Sequence, residues 1–197
     1  MVVVNASDPI PAVVESDATG DIKNIFDDIK NVTGVDVVNL VWRHLATTQN
    51  ALPYLWGVLR PLYESGFINH QAVEFQNQLV LPKLPKFKDE ILLASGIDKL
   101  GKITINNILV SYNRTNTVNL IALQAALITL EGVKDATLDQ THKKTTNVSL
   151  LPMPRLPAIS DLNPTIISLV EELNSLGEED GTIIASMYRH LAYWPNY

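Results

Sequence analysis

Three observations predict an all-α fold: a multi-helix bundle unit, then a linker, then the opening helices of a second, similar unit. Every strong apolar periodicity in the chain is helical, with residues recurring at i, i+3, i+4 and i+7. The tetrapeptide Arg-His-Leu-Ala occurs twice, as Arg43-His44-Leu45-Ala46 after Trp42 and as Arg189-His190-Leu191-Ala192 after Tyr188. Upstream of each copy lies one apolar-acidic-acidic-apolar pattern, Phe26-Asp27-Asp28-Ile29 and Val170-Glu171-Glu172-Leu173, with a two-residue insertion in the second copy. These matches predict an internal repeat. The expected organisation is an extended arm over 1–16, a first helical unit over 17–132, a Pro-rich linker over 133–163 and an incomplete second unit over 164–197.

The elements follow in order. Residues 1–16 carry Pro9 and Pro11 and no sustained period, so they read as an arm. A first helix runs from a Thr19 cap to Val32, with Ile22, Ile25, Phe26 and Ile29 on one face, and Gly34 ends it. Asp36 is the expected cap of a second helix, in which Val37, Leu40, Val41, His44 and Leu45 share a face. Asn50 opens a third, with Pro53 in the first turn where a missing N–H costs little, and Pro61 kinks or ends it. A fourth spans Asn69 to Val80, and Pro82 and Pro85 break the chain after it. A short fifth runs from Lys88 to Ser95 and closes at Gly96. Asp98 caps a sixth reaching about Tyr112, and a seventh covers about Asn116 to Glu131. Between Gly132 and Pro164 the periodicity disappears into a stretch holding Pro152, Pro154 and Pro157. Two further helices follow, roughly Pro164 to Leu176 and Gly181 to Tyr193.

Composition bounds the chemistry. With 46% apolar and 18% charged residues over 197 positions, the chain is globular and long enough for a sizeable core. A net charge of −6 without a basic block argues against a non-specific nucleic-acid surface, which needs clustered Lys and Arg to neutralise phosphates. The nearest candidate has only Lys83, Lys86 and Lys88, interrupted by Pro85 and Phe87. The absence of cysteine excludes disulfides, thiolate nucleophiles and Cys-based metal sites. No apolar run reaches the ~20 residues of a membrane span, and the first residues lack a basic n-region, so a cytoplasmic protein without membrane contact is expected. The sequons at Asn31 and Asn113 then count as chance matches.

The four histidines, His44, His70, His142 and His190, show no i, i+4 pair and no HExxH pattern, so no metal is expected. Ser65, Ser111 and Ser186 lack a GxSxG context. Adjacent carboxylates such as Asp27-Asp28 and Glu171-Glu172 point to different helix sides and read as solvated faces. The Arg-His pairs admit two readings. In one they are catalytic, with a histidine titrating near neutrality beside a carboxylate-gripping arginine. In the other the arginine covers a helix terminus or a carboxylate such as Asp28 and the histidine is half-buried, which suits two uses at equivalent positions. Trp42, Tyr54, Trp56 and Tyr63 stand at helical spacing and read mostly as core. The segment Tyr112-Asn113-Arg114-Thr115-Asn116-Thr117-Val118-Asn119 places three amides between two apolar helices, where burial would demand partners. Those amides either satisfy the following helix's N–H groups or line a polar pocket for a small ligand.

With these segments assembled, the chain over about 17–197 resembles the group I 2-haloacid dehalogenases, the DehI family. The resemblance is carried by Val35-Asp36-Val37-Val38 through Arg43-His44-Leu45-Ala46-Thr47, by Leu52-Pro53-Tyr54-Leu55-Trp56, by Tyr112-Asn113-Arg114-Thr115-Asn116, and by Ala185-Ser186-Met187 through Leu191-Ala192 and Trp194-Pro195. It implies an all-α fold of two repeats and the hydrolysis of small 2-haloacids, in which an aspartate activates water that attacks the halogen-bearing carbon directly. That base must have its basicity raised in a dry pocket, and an amide must help hold the water. By the resemblance the amide falls on Asn116 and a pocket neighbour on Asn119, the pocket wall on Val37 and Leu40, and the run beside the base on Ala185 and Ser186. The base itself falls on Met187, and methionine cannot take a proton from water. No cofactor is implied.

Two functions are therefore expected to compete. One is a hydrolase acting on a small 2-substituted carboxylic acid, with Asn116 and Ser186 as its catalytic residues. The other is a non-catalytic helical protein of the same fold that binds a small acid or a partner. An incomplete second unit would leave apolar faces uncovered, so a homo-oligomer, or a fragment of a longer product, is expected.

Overall fold

Amphipathic spacing becomes helix throughout the computed structural model, which describes residues 10–35, 37–132, 153–177 and 184–197. Among the described residues the fold is all-α, without a β-strand. The helices are α1 (Gly20–Thr33), α2 (Leu40–Leu45), α3 (Ala51–Glu64), α4 (Phe67–Gln78), α5 (Asp89–Ala94), α6 (Lys99–Leu130), α7 (Pro164–Ser175) and α8 (Ser186–Leu191). Short 3-10 turns, Glu15–Asp17 and Ile159–Asp161, precede α1 and α7. No helix among the described residues is long and apolar enough to cross a membrane.

Local chemistry explains most boundaries. α1 stops where Gly34 turns left-handed at φ 68° and its N–H donates to the Lys30 carbonyl at 2.8 Å. α2 starts later than the sequence predicts, because the Asn39 side chain caps it by accepting from the Val41 N–H at 3.0 Å. Val37 thereby falls outside the helix, and the expected Asp36 cap lies outside the described residues. α3 does not end at Pro61 but continues to Glu64. Pro61 and Gly57 both face solvent, so water reaches the Gly57 carbonyl that the proline leaves unbonded. Burial of Leu62 and Tyr63 holds the last turn.

Two further expectations are corrected. A break near residues 112–116 is replaced by continuous helix, since α6 is one element of 32 residues. No Gly or Pro lies between Tyr112 and Asn119, Asn and Thr each cost at most about 0.7 kcal/mol against Ala in a helix, and the buried stripe of Ile105, Ile108, Ala122 and Ala126 runs through the segment. The expected start of the last helix near Gly181 lies outside the described residues; the helix ends at Leu191 rather than Tyr193 and starts at Ser186. The buried Asn174 of α7 fixes that start by accepting the Ala185 N–H at 3.0 Å.

The chain forms two compact units, one from Met1–Leu79 and Thr115–Val148, the other from Val80–Arg114 and Ser149–Tyr197. The core of the first gathers Phe26 and Ile29 of α1, Trp42 of α2, Leu52, Trp56, Leu59 and Tyr63 of α3, Ile68 of α4, and Ala122 and Ala126. Trp42 meets Trp56 edge to face, with centroids 5.5 Å apart at 81°, and Tyr63 closes the cluster 5.7 Å from Trp56. Tyr54, on the opposite side of α3, is exposed. The second unit has a smaller core of Leu92, Ile97 and Ile105, flanked by Leu109, Leu191 and Trp194.

Candidate functional site

The residues singled out by the resemblance fall in both units. In the first, Val37 is 68% exposed ahead of α2, Leu40 is half-buried at its start, Asn116 is exposed and Asn119 is half-buried on α6. The buried amide stretch expected over 112–119 is corrected, since Asn113 and Asn116, one turn apart on the helix, both face solvent. Thr117 is buried and accepts from the Gln76 amide at 3.0 Å. In the second unit Ala185 is exposed, while Ser186 and Met187 are half-buried at the first two positions of α8. Asp180 and Glu179, the nearest carboxylates in sequence, lie outside the described residues.

Helical spacing puts Ser186 and His190, four residues apart, on one face of α8, where Tyr112 of α6 meets both. The Tyr112 hydroxyl lies 2.6 Å from His190 Nδ1, and His190 Nε2 lies 3.0 Å from the Pro154 carbonyl. A carbonyl only accepts, so Nε2 carries the proton and Nδ1 accepts from the phenol. The Tyr112 oxygen in turn accepts from the Ser186 hydroxyl. The result is a directed chain from Ser186 through Tyr112 and His190 to a backbone carbonyl. Next to it Arg189, buried, donates from Nε and Nη2 to the Pro157 carbonyl at 3.1 and 2.7 Å, and the Tyr193 hydroxyl donates to the Arg155 carbonyl at 2.9 Å. Three side chains of the α8 segment thus clamp the 154–157 stretch.

Burial sets the ionisation of this chain. It lowers the His190 pKa below the usual imidazole range, the charge of Arg189 acts in the same direction, and the bond to Pro154 opposes both. Burial pushes the Tyr112 phenol up to about 12, against the smaller opposing effects of Ser186 and Arg189. Both groups are neutral at pH 7. Because the folded pKa of His190 is depressed, the stability it contributes is full above the unfolded value of about 6.5 and is lost as pH falls through the folded value. Urea titrations across that window are expected to show wild type losing more stability on acidification than His190→Gln. Parallel losses in the two proteins would refute the assignment.

Beside this cluster, Asp98, Leu100, Gly101, Thr104, Pro154, Tyr193 and Trp194 line an open groove of about 440 Å³. Asp98 caps α6 as the sequence predicts, accepting the Gly101 N–H at 2.7 Å. Gly101 lets the indole close in, since a Cβ there would lie 2.9 Å from Trp194 Nε1. The carboxylate at the groove is therefore committed to a helix terminus.

In the first unit Asp28 is held by Arg60 and Trp56 of α3, not by the arginine of an Arg-His pair. Arg60 Nε and Nη2 reach its two oxygens at 2.7 and 3.1 Å, and Trp56 Nε1 donates at 2.7 Å. Arg60 holds the Asp28 carboxyl below the usual carboxylate range, outweighing its partial burial, and Trp56 adds to the effect. The signal was present in sequence as the i, i+4 spacing of Trp56 and Arg60, but nothing local pairs that face with Asp28. Such a carboxylate is a poor base. His44 is exposed rather than half-buried, and its Nδ1 donates to the Pro11 carbonyl at 2.7 Å, while His190 is more deeply buried than expected.

Among the described residues no group of three or more His, Asp or Glu side chains converges as metal ligands would. No family model matches the chain, and comparison with curated proteins and with solved structures returns no match.

Proposed function

We propose that this chain is a non-catalytic relative of the group I 2-haloacid dehalogenases, built on a duplicated helical plan, that binds a small carboxylic acid without hydrolysing it. The observation that carries this reading is Met187, a thioether half-buried at the start of α8 in the position where the resemblance requires a carboxylate. The polar chain nearest in sequence is neutral and ends on a backbone carbonyl, so it offers no strong base to activate water. Duplication is supported by two runs of similar order. In each, a Pro-x-Pro stretch, a 3-10 turn, a longer helix and a six-residue helix follow one another, and each Arg-His histidine bonds a proline carbonyl, His44 that of Pro11 and His190 that of Pro154.

One observation favours the hydrolase instead. Ser186 retains a hydroxyl linked through Tyr112 to an imidazole, an arrangement able to relay a proton. Halide release from racemic 2-chloropropionate separates the two readings. Wild type is expected to release none while perturbing the Met187 methyl resonance when the acid is added, and Met187→Asp is expected to gain measurable release. Halide release by wild type, with Asn116→Ala and Ser186→Ala reducing it, would establish the hydrolase. An unmoved methyl resonance would remove small-acid binding.

A further inference from the structure

Residues 77–91 are exposed without exception, although they include Val80, Leu81, Leu84, Phe87 and Ile91. Pro82 and Pro85 fix φ near −65° and drive Leu81 and Leu84 toward extended backbone. The ends of the stretch are already polyproline-like, with Leu79 at φ −69°, ψ 124° and Lys88 at φ −73°, ψ 149°. In a conformation with three residues per turn, Leu81, Leu84 and Phe87 fall on one edge and Lys83 and Lys86 on another. Leu81 and Leu84 are 72% and 79% exposed, and Phe87 stays 58% exposed despite an edge contact with Tyr197. Lys83, Lys86 and Lys88 form no ion pair among the described residues. Two prolines withhold the N–H groups that pairing with a sheet edge would use, so recognition of this strap rests on its side chains.

The complementary surface lies on the same unit. The last turns of α7 expose Glu172, Leu173 and Leu176 on one face, with Glu171 alongside, and Leu176 is 83% exposed. Neither glutamate forms an ion pair among the described residues. From Val80 to Lys88 the strap carries three lysines and no acid, Asp89 and Glu90 following only at the start of α5, in a chain of net charge −6, so the rest of the molecule is more acidic still.

We infer that the strap of one chain docks on the α7 face of a second copy, with Leu81, Leu84 and Phe87 against Leu173 and Leu176 and the lysines against Glu171 and Glu172. Within one molecule both surfaces stay exposed, and a two-fold arrangement satisfies both at once, each strap on the other's α7, giving a closed dimer. Apolar edges provide the burial and the opposite charges set the register.

Analytical ultracentrifugation of the full chain tests this. Wild type is expected at twice the 21.8 kDa chain mass in low salt, with association weakening about ten-fold or more in high salt. Lys83→Glu with Lys86→Glu, and separately Glu171→Lys with Glu172→Lys, are each expected to give monomers with unchanged circular dichroism. Mixing the two variants restores the dimer, because each swapped pair of strap positions again faces the opposite charge on the partner's α7. Leu84→Ser, on an exposed residue, gives a monomer without altering charge. A monomeric wild type, a dimer indifferent to both charge swaps, or a mixture that stays monomeric would each overturn the inference. None of these outcomes depends on ligand binding at Met187.

Discussion

Asn116→Pro is expected to destabilise the chain by about 3 kcal/mol or more, whereas Asn116→Ala is expected to be neutral or to gain up to about 0.7 kcal/mol. Asn116 lies within the continuous α6, where its N–H donates back along the helix toward the carbonyl of Tyr112. Proline removes that bond and its ring crowds that carbonyl, displacing the residue whose hydroxyl reaches His190. Alanine leaves the backbone intact and removes a solvent-facing amide. Urea titrations followed by far-ultraviolet circular dichroism read both effects. Equal stability of the proline variant and wild type would mean that the chain breaks here into two helices, as the run of amides alone suggests.

Trp56→Ala is expected to cost about 3–5 kcal/mol, the range for emptying a large aromatic site. Trp56 is 4% exposed, meets Trp42 edge to face and packs beside Tyr63, so its loss opens the centre of the first unit's core. It also removes the indole N–H from Asp28, leaving that carboxylate to Arg60 alone. Trp56→Phe separates the two effects in part, since it keeps a six-membered aromatic ring in the core but loses the N–H donor together with the rest of the indole. A cost of about 1.5–3 kcal/mol is expected from the lost hydrogen bond to a charged group, with the missing indole atoms adding to it. An alanine variant within about 1 kcal/mol of wild type would show that the aromatic cluster does not carry this core.

The helical period was legible because it is local. Ile22, Ile25, Phe26 and Ile29 announce α1 by spacing, and Thr19 and Gly34 mark its ends as the structure has them. Asp98 capping α6 and Pro164 opening α7 are equally visible, since a cap acts within three residues of itself. The same locality misled at Tyr112–Asn119. A cluster of Asn and Thr resembles a turn when read alone, but these residues weaken a helix only slightly, and the apolar stripe on either side carries it through. At Pro61 the proline is tolerated because its side of α3 faces water, which no pattern within the helix specifies.

The candidate site was less legible than the fold. Ser186 was marked by the resemblance and His190 by the repeated tetrapeptide, yet Tyr112, which joins them, was passed over inside a segment noted for its amides. The bond between Tyr112 and His190 spans 78 residues of sequence, and no periodicity reaches that far. Asp28 was a foreseeable carboxylate, but its partner proved to be Arg60 rather than Arg43 or Arg189, both of which carry the more conspicuous motif.

By itself the sequence determined the helical class, most helix limits, the absence of thiol chemistry and the methionine at position 187, because each depends on residue identity or on neighbours within a turn. Only the tertiary structure decided which side chains complete one another: Arg60 and Trp56 on Asp28, Tyr112 between Ser186 and His190, and lysines that form no ion pair among the described residues along an exposed strap. Hydrogen bonds and desolvation act over a few ångströms in space, and which distant residues come within that range is set by how whole helices pack.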